Sequence, residues 1–226
     1  MPIAEFLSDP GVRGPLALTL RVCLVSVPLF LTLGVWLGYF LGRSRSALAA
    51  AVDFIVSLPM VFPPIATGFG LLLFLGNRGV IGPAVRDLFG VEIVFGFTGV
   101  AVAAVVSGLP LMVKPVQAAV TGEISRYMEA ARVLGKSEFE IFFRVVLPLI
   151  RKNILAGLFL SWTRSIGEVG VTLMLGGNIV GRTNTVSLEI YNSVFTGDYE
   201  RAAFLAGMLG LASLAAMFML RRLSAT

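Results

Sequence analysis

Five long apolar runs divide the sequence and constrain its fold more than any other feature. They cover residues 16–41, 54–75, 93–113, 149–175 and 202–220. Each run is long enough to cross a bilayer, which takes roughly 20 apolar residues in a helix. Backbone groups inside lipid must be satisfied within a helix or a closed barrel. The sequence therefore predicts an all-α polytopic membrane protein with five transmembrane helices.

The composition agrees with a membrane protein and excludes several kinds of site. Hydrophobic residues make up 57% of the chain and charged residues 14%, whereas soluble domains are about a quarter charged. The single cysteine, Cys23, lies inside the first apolar run, and there is no histidine. A disulfide framework, a metal site and a catalytic nucleophile–base pair are therefore not expected, and an intramembrane enzyme is disfavoured.

The positions of the basic residues predict the orientation of the chain. Eleven of the 18 lysines and arginines follow the first, third and fifth runs, and five lie on the other side. Because basic residues concentrate in cytoplasmic segments, the N-terminus is predicted outside and the C-terminus in the cytoplasm. The net charge of +5 is then explained by basic residues that set the orientation in the membrane, and it does not indicate nucleic-acid binding. The acidic start "MPIAEFLSDPG" lacks the basic region of a cleavable signal peptide, and no regulatory domain is expected after Arg222.

The cytoplasmic segment 122–148 is predicted to fold as two short helices within a single transmembrane domain, 1–226. Gly135 suits the C-terminal cap of the first helix, and Ser137 with Glu140 forms a capping box for the second. Gly135-Lys136-Ser137 resembles the end of a phosphate-binding loop, but Ala130 replaces its first glycine and no strand precedes it. ATP binding by this chain is therefore not expected. Two interpretations stay open: a projection that enters a groove of another protein through Ala130 and Ala131, or a hairpin lying on lipid headgroups.

The residues of this segment resemble the EAA loop of permease subunits of ABC importers. Glu129-Ala130-Ala131 is followed after three residues by Gly135 and after nine more by Val145-x-Leu147-Pro148. The family usually has isoleucine in place of Val145. The resemblance implies a type I ABC importer permease whose loop docks into a separate ATPase dimer, which holds ATP-Mg, with no cofactor bound by this chain. The implied coupling residues are Glu129, Ala130, Ala131, Gly135, Leu147 and Pro148.

Two further stretches, 58–82 and 161–191, resemble the molybdate-type permeases. Tungstate and sulfate permeases share much of this pattern, although the short five-span form suits the molybdate branch better. The resemblance implies a homodimer in a prokaryotic inner membrane, with an extracytoplasmic oxyanion-binding protein above it. The outer segment 176–200, a loop by its pattern, would face that protein.

Polar residues inside the second and fourth runs are candidates for the translocation path. Proline at this depth bends or breaks a helix, and charges inside a membrane are costly and usually functional. The candidates are Pro63, Pro64, Thr67, Ser161, Arg164, Ser165 and Glu168. The last four recur at helical spacing on one face, and Arg164 with Glu168 forms an i, i+4 pair. Either these features line the path and favour an anion, or they are a structural kink and a buried ion pair.

Other classes of membrane protein are weaker interpretations. An ion-coupled secondary transporter usually shows internal repeats, and none is visible in this chain. A membrane scaffold would require the EAA match to be accidental. Co-purification of an ATPase would discriminate against both. The sequence does not rank molybdate, tungstate and sulfate, since the binding protein largely sets selectivity.

Overall fold

A computed structural model describes residues 9–122 and 124–225, and every regular element in these ranges is helical. The predicted all-α class is confirmed. Residues 1–8, which form most of the acidic start, Glu123 within the predicted cytoplasmic segment, and Thr226 lie outside the described residues. The helices are α1 Pro10–Arg43, α2 Ala47–Val61, α3 Pro64–Leu75, α4 Gly82–Phe89, α5 Phe97–Thr121, α6 Ile124–Val133, α7 138–149, α8 Arg151–Ile166, α9 Gly170–Gly176, α10 Val186–Thr196 and α11 Tyr199–Ala225.

Three helices of the described chain, α1, α5 and α11, are long and apolar enough to cross a membrane. They correspond to the first, third and fifth apolar runs. The second run forms two shorter helices, α2 and α3, and the fourth forms α8 and α9. The five-span count stays a prediction, because each of these two runs is interrupted.

Helix α5 is the most buried of the three long helices. Its most apolar window is 61% buried, against 17% for α1 and 6% for α11. It packs against α1 along a stripe of glycines, Gly34, Gly38 and Gly42, which face Met112, Val116 and Val120. A Cβ on Gly38 would lie 2.6 Å from the Val116 Cβ. Small residues at a four-residue spacing let two membrane helices approach closely, so this stripe holds α1 against α5.

The second apolar run breaks at its prolines, as predicted. Phe62 is extended, with φ −76° and ψ 143°, and α3 restarts with Pro64 in its first turn. Proline has no backbone N–H to donate and is tolerated at the start of a helix, which explains why the chain restarts there. The fourth run breaks as well, between Ile166 and Gly170, which the sequence analysis did not predict.

The outer segment after α9 is more ordered than a loop. Residues 183–189 are buried, and α10 forms from Val186 to Thr196. The Asn184 side-chain amide donates to Glu189 at 2.8 Å, and the Ser187 hydroxyl donates to the Ile166 carbonyl at the end of α8. The interpretation of this segment as a loop from its pattern was wrong. The side chains of Thr183 and Asn184 accept from the backbone N–H groups of Ile179 and Gly181, so the segment is satisfied internally and packs onto the bundle.

Candidate functional site

The segment predicted to be cytoplasmic forms a helical hairpin of α6 and α7, joined at Gly135. Gly135 has φ +73°, its N–H donates to the Arg132 carbonyl, and the Lys136 N–H donates to the Ala131 carbonyl. This is a Schellman cap, in which a left-handed glycine ends the first helix. Ser137 and Glu140 form the predicted capping box at the start of α7. Local sequence signals therefore account for both ends of the turn.

The two alanines of the EAA motif point in different directions. Ala130 is exposed, whereas Ala131 is 7% exposed and packs into the core with Met128 and Ile141. Of the two alanines that could enter a groove of another protein, only Ala130 lies on the outer face, since neighbouring residues of a helix face different ways. Glu129 and Pro148 are exposed, while Leu147 is half-buried against the hairpin core.

The tip of the hairpin presents an apolar surface that the bundle leaves uncovered. Val133, the last residue of α6, is 88% exposed, and Leu134, which follows it, is 78% exposed. Phe139, on the first turn of α7, is also exposed. Exposed apolar side chains that cluster at the end of a projection are typical of a protein-binding surface.

An ion-pair cluster, the Glu138 clamp, ties the hairpin to the end of α1. The Glu138 carboxylate lies 2.8 Å from the Arg43 guanidinium and 2.7 Å from that of Arg132. The hydrogen bond from Arg132 and the charge of Arg43 hold the pKa of Glu138 below its usual value. The Arg43 guanidinium also lies over the Tyr39 ring, which meets Phe142 of α7 edge-on. The sequence analysis missed this cluster because Arg43 is distant in the chain, and because Arg132 and Glu138, although six residues apart, lie on different helices.

The two interrupted runs meet where they break. A Cβ on Gly170, at the start of α9, would lie 2.9 Å from the Pro64 Cβ and 3.0 Å from the Ile65 nitrogen. A Cβ on Gly68 would lie 2.9 Å from the Val171 Cα. Glycine allows this close approach, so the first turn of α3 and the start of α9 are direct neighbours. Pro63 and Pro64 are exposed beside this contact, and Thr67 is half-buried with a hydroxyl that lacks a partner.

Arg164 and Glu168 form an ion pair at the break between α8 and α9, as the spacing predicts. Glu168 is 1% exposed, and its Oε1 accepts a hydrogen bond from the Val171 N–H at 2.8 Å. The side chain of Arg164 is 34% exposed. Glu168 therefore caps the restarting helix while it pairs with the guanidinium of Arg164, and the arginine is the more exposed member of the pair.

The two serines of the predicted face point into the protomer instead. Ser161 is fully buried, with its carbonyl against the position of Gly108 on α5, and its hydroxyl has no partner. The Ser165 hydroxyl donates to the Trp162 carbonyl. Ser165 also lines a small internal cavity with Thr19 and Thr172. The structure thus separates these serines from the exposed part of Arg164.

A further ion pair, also missed from the sequence, links α2 to α5. The Lys114 ammonium donates to the Asp53 carboxylate at 2.7 Å, and both side chains are 33% exposed. The predicted apolar run begins at Phe54, directly after Asp53, whereas α2 begins at Ala47 behind a Ser46 cap and includes Asp53. The sequence does contain a signal for this pair. A single acidic residue directly precedes the second apolar run, and a single basic residue directly follows the third.

Comparisons with known proteins identify the family of this arrangement. Residues 34–225 match the binding-protein-dependent transport system inner membrane component family. The molybdenum transport system permease protein ModB of Azotobacter vinelandii is 37% identical over 203 residues, which cover 90% of each chain. The sulfate transport system permease protein CysW of Synechocystis is 30% identical and is matched over 76% of its length and 93% of this chain. A bacterial alginate ABC transporter chain, solved with an alginate-bound periplasmic protein, has the same fold, with TM-score 0.76, 17% identity, and coverage of 99% of this chain and 83% of that one.

Proposed function

This chain belongs to the family of binding-protein-dependent transport system inner membrane components, and we propose that it is the permease subunit of an ATP-driven importer for molybdate. The observation that carries the choice of substrate is the degree of sequence identity. The molybdenum permease of Azotobacter vinelandii is 37% identical over 203 residues, whereas the sulfate permease of Synechocystis is 30% identical over 210 residues. Tungstate and sulfate, which have the same tetrahedral shape, are the competing substrates.

The translocation path is proposed to run past the paired helix breaks. Arg164 offers a partly exposed positive charge there. The Thr67 hydroxyl is buried and has no partner among the described residues, and it is proposed to turn toward the anion when the path opens. At an effective dielectric constant of about 20, one positive charge roughly 6 Å from a divalent anion contributes on the order of 5 kcal/mol before desolvation. The buried carboxylate of Glu168 tempers this attraction, so that the anion can leave as well as enter. Ser161 and Ser165 have a packing role in this proposal, because they face the protomer interior.

A second copy of the chain is proposed to complete the path. The faces of α2 and α3 that the protomer leaves uncovered carry large apolar side chains, including Phe54, Val61, Ile65 and Phe69. These faces flank Pro63 and Pro64, so a two-fold contact in this region would place two sets of helix breaks opposite each other. Such a pairing also explains how a small bundle encloses a passage. Lipid would cover the opposite faces, which belong to α1 and α11.

A separate ATPase dimer is proposed to supply the energy, and no catalytic residue is assigned to this chain. The hairpin tip at Val133, Leu134 and Phe139, together with Glu129 and Ala130, would dock into a cleft of each ATPase. ATP-Mg would bind in those subunits, and their closure would move the hairpins and open the outer side of the path as a rigid-body change. An extracytoplasmic oxyanion-binding protein would deliver the substrate to the outer segment around α10.

Uptake of radiolabelled molybdate into cells that express the chain with its ATPase and binding protein tests this function. We expect uptake that depends on this chain, is inhibited by excess unlabelled molybdate or tungstate, and is insensitive to equal excess of sulfate. Inhibition by sulfate as strong as that by molybdate would instead assign the chain to sulfate transport. Uptake that continues without an active ATPase, driven by an ion gradient, would contradict an ATP-driven importer altogether.

A further inference from the structure

An apolar groove opens at the surface of the bundle between α1, α8 and α11. Val27 of α1, Leu155 and Trp162 of α8, and Ala216 and Leu220 of α11 line it. Its volume is about 160 Å³, and almost all of the exposed surface inside it is apolar. The groove lies on the side of the bundle where α11 packs, and no part of the described chain covers it.

Four basic residues flank one end of this groove. Arg151 and Lys152 precede Leu155 by one helical turn on α8, and Arg221 and Arg222 follow Leu220 directly on α11. Arg151, Leu155 and Trp162 are spaced by four and seven residues, so they lie on one face of α8. All four basic side chains are exposed. The groove is therefore apolar along its length and positively charged at one mouth.

These four charges have no acidic partner among the described residues, in contrast to most basic residues on the predicted cytoplasmic side. Each ion pair among the described residues involves other groups. Arg132, Lys136 and Arg144 of the hairpin, for example, pair with Glu138 or Glu140. The preference for basic residues on the cytoplasmic side explains that such residues occur, but it does not explain why unpaired ones meet at the mouth of one groove.

We propose that this groove binds an anionic phospholipid of the cytoplasmic leaflet. One acyl chain lies against Trp162 and Ala216, and the basic residues at the mouth, Arg151, Lys152, Arg221 and Arg222, hold the phosphate. Clusters of lysine and arginine immediately cytoplasmic of membrane helices bind acidic headgroups, and long basic side chains reach the interface from helix ends. A zwitterionic lipid has the same chains but no net charge, so the site discriminates by headgroup. The inference depends on the membrane placement of the chain and not on the transported anion.

The two tryptophans of the chain provide a direct test in vesicles that contain the full chain. Trp162 lines the groove, whereas Trp36 is 58% exposed on α1 and is not part of it. The variant Trp36→Phe leaves Trp162 as the only reporter, and Trp162→Phe leaves Trp36. Phosphatidylglycerol or phosphatidylcholine with brominated acyl chains then quenches each tryptophan at equal mole fraction.

We expect brominated phosphatidylglycerol to quench Trp162 more strongly than brominated phosphatidylcholine does, and the two lipids to quench Trp36 equally. The double variant Arg151→Gln with Arg222→Gln is expected to lower the preference at Trp162 by at least about fivefold. The matched control, Arg45→Gln with Arg126→Gln, removes two exposed basic residues away from the groove and should leave the preference unchanged.

Three results would overturn the proposal. Equal quenching of Trp162 by the two lipids would show no selection by headgroup. A preference that persists in the Arg151 and Arg222 variant would show that these charges do not hold the phosphate. Protection of Trp162 from both lipids would mean that protein, such as a second copy, covers the groove.

A second pair of variants, which keeps all the charges, tests the groove even if the arginine variant does not fold. Ala216→Phe fills the groove, whereas Ala215→Phe adds the same volume at an exposed neighbouring position that does not line it. Ala216→Phe should reduce the quenching of Trp162 by phosphatidylglycerol, and Ala215→Phe should not. Equal effects of the two variants would contradict binding in this groove.

Discussion

At the scale of single residues, the pair of Arg164 and Glu168 is proposed to have two separable roles, one in stability and one in transport. Arg164→Gln would leave the carboxylate of Glu168 buried without its partner, which costs on the order of 3 kcal/mol. We therefore expect a lower unfolding temperature in detergent together with a strong loss of oxyanion uptake. Thermal unfolding and radiolabelled uptake measure the two effects separately.

The double variant Arg164→Gln with Glu168→Gln distinguishes stability from transport. Glutamine at 168 still has an oxygen that can accept from the Val171 N–H, so the helix cap is kept and no buried charge remains. Folding should recover while uptake stays low. A double variant that transports at the normal rate would reduce the pair to a structural element.

The Glu138 clamp predicts a dependence on pH. The pKa of Glu138 in the folded protein lies below its ordinary value of 4.5. The clamp therefore stabilises the hairpin fully above pH 4.5, and this stabilisation is lost as the pH falls through the lower, folded pKa. Glu138→Gln should cause a similar loss at neutral pH, seen as faster hydrogen exchange in residues 124–149.

Glu92→Gln is the matched control for the clamp, because Glu92 is exposed in the connection before α5, outside the hairpin. It should leave hydrogen exchange in the hairpin unchanged. If Glu138→Gln behaves in the same way, the ion pairs with Arg43 and Arg132 contribute nothing to docking of the hairpin on α1.

Residue identities were predictable from the sequence where the signal is local, and not where it depends on distant chain segments. The capping box at Ser137, the left-handed Gly135 and the pairing of Arg164 with Glu168 all follow from spacing within one or two turns. The burial of Ser161 and Ala131, the Glu138 clamp and the pair of Asp53 with Lys114 depend on which helices become neighbours. No short window of sequence contains that information.

At the scale of helices, the glycine stripe of α1 predicts a position-specific stability effect. Leucine at Gly38 would meet the Val116 side chain and the Val113 carbonyl oxygen, which lie 2.6 and 2.9 Å from an added Cβ. Overpacking of this kind typically costs about 1–3 kcal/mol. Thermal unfolding should show a clear loss for Gly38→Leu. Gly14→Leu, on the same helix with no atom near the added Cβ, should show little change, and equal losses would refute a tight contact between α1 and α5.

The turn between α6 and α7 predicts a defect in coupling. Gly135 has open space around it, so a substitution there acts through the backbone and not through crowding. A β-branched residue is strained at φ +73°, whereas asparagine tolerates this region. Gly135→Val should insert normally into the membrane but lose stimulation of the ATPase, and Gly135→Asn should retain most of it. Full ATPase stimulation and uptake in Gly135→Val would contradict the coupling role of the hairpin.

The two helix breaks were also predictable only where the signal is local. Proline predicts the break between α2 and α3, because its missing N–H and its ring oppose a continuous helix at Pro63. The break between α8 and α9 has no proline. It arises where Gly167 and Gly170 weaken the helix and the buried carboxylate of Glu168 caps the restart. That carboxylate is recognisable as a cap only when its burial is known.

At the scale of the whole molecule, the proposed orientation can be tested by labelling single cysteines after Cys23 is replaced by alanine. Cysteine at Ser137, which is exposed in the hairpin, should react only with reagents added from the cytoplasmic side. The matching position on the predicted outer side is Val180, which is 78% exposed in the segment after α9. Cysteine at Val180 should react only from outside. Reversed labelling of the two positions would overturn the proposed topology.

One apolar cluster runs without a gap from the middle of the bundle into the hairpin. It joins Phe30 and Tyr39 of α1, Met112 and Val116 of α5, and Ile141 and Val146 of α7. Interiors packed in this way have low compressibility. We therefore expect the hairpin, α1 and α5 to move together as one rigid unit. A push on the hairpin tip would tilt α1 and α5 as one body instead of being absorbed by bending at the membrane surface.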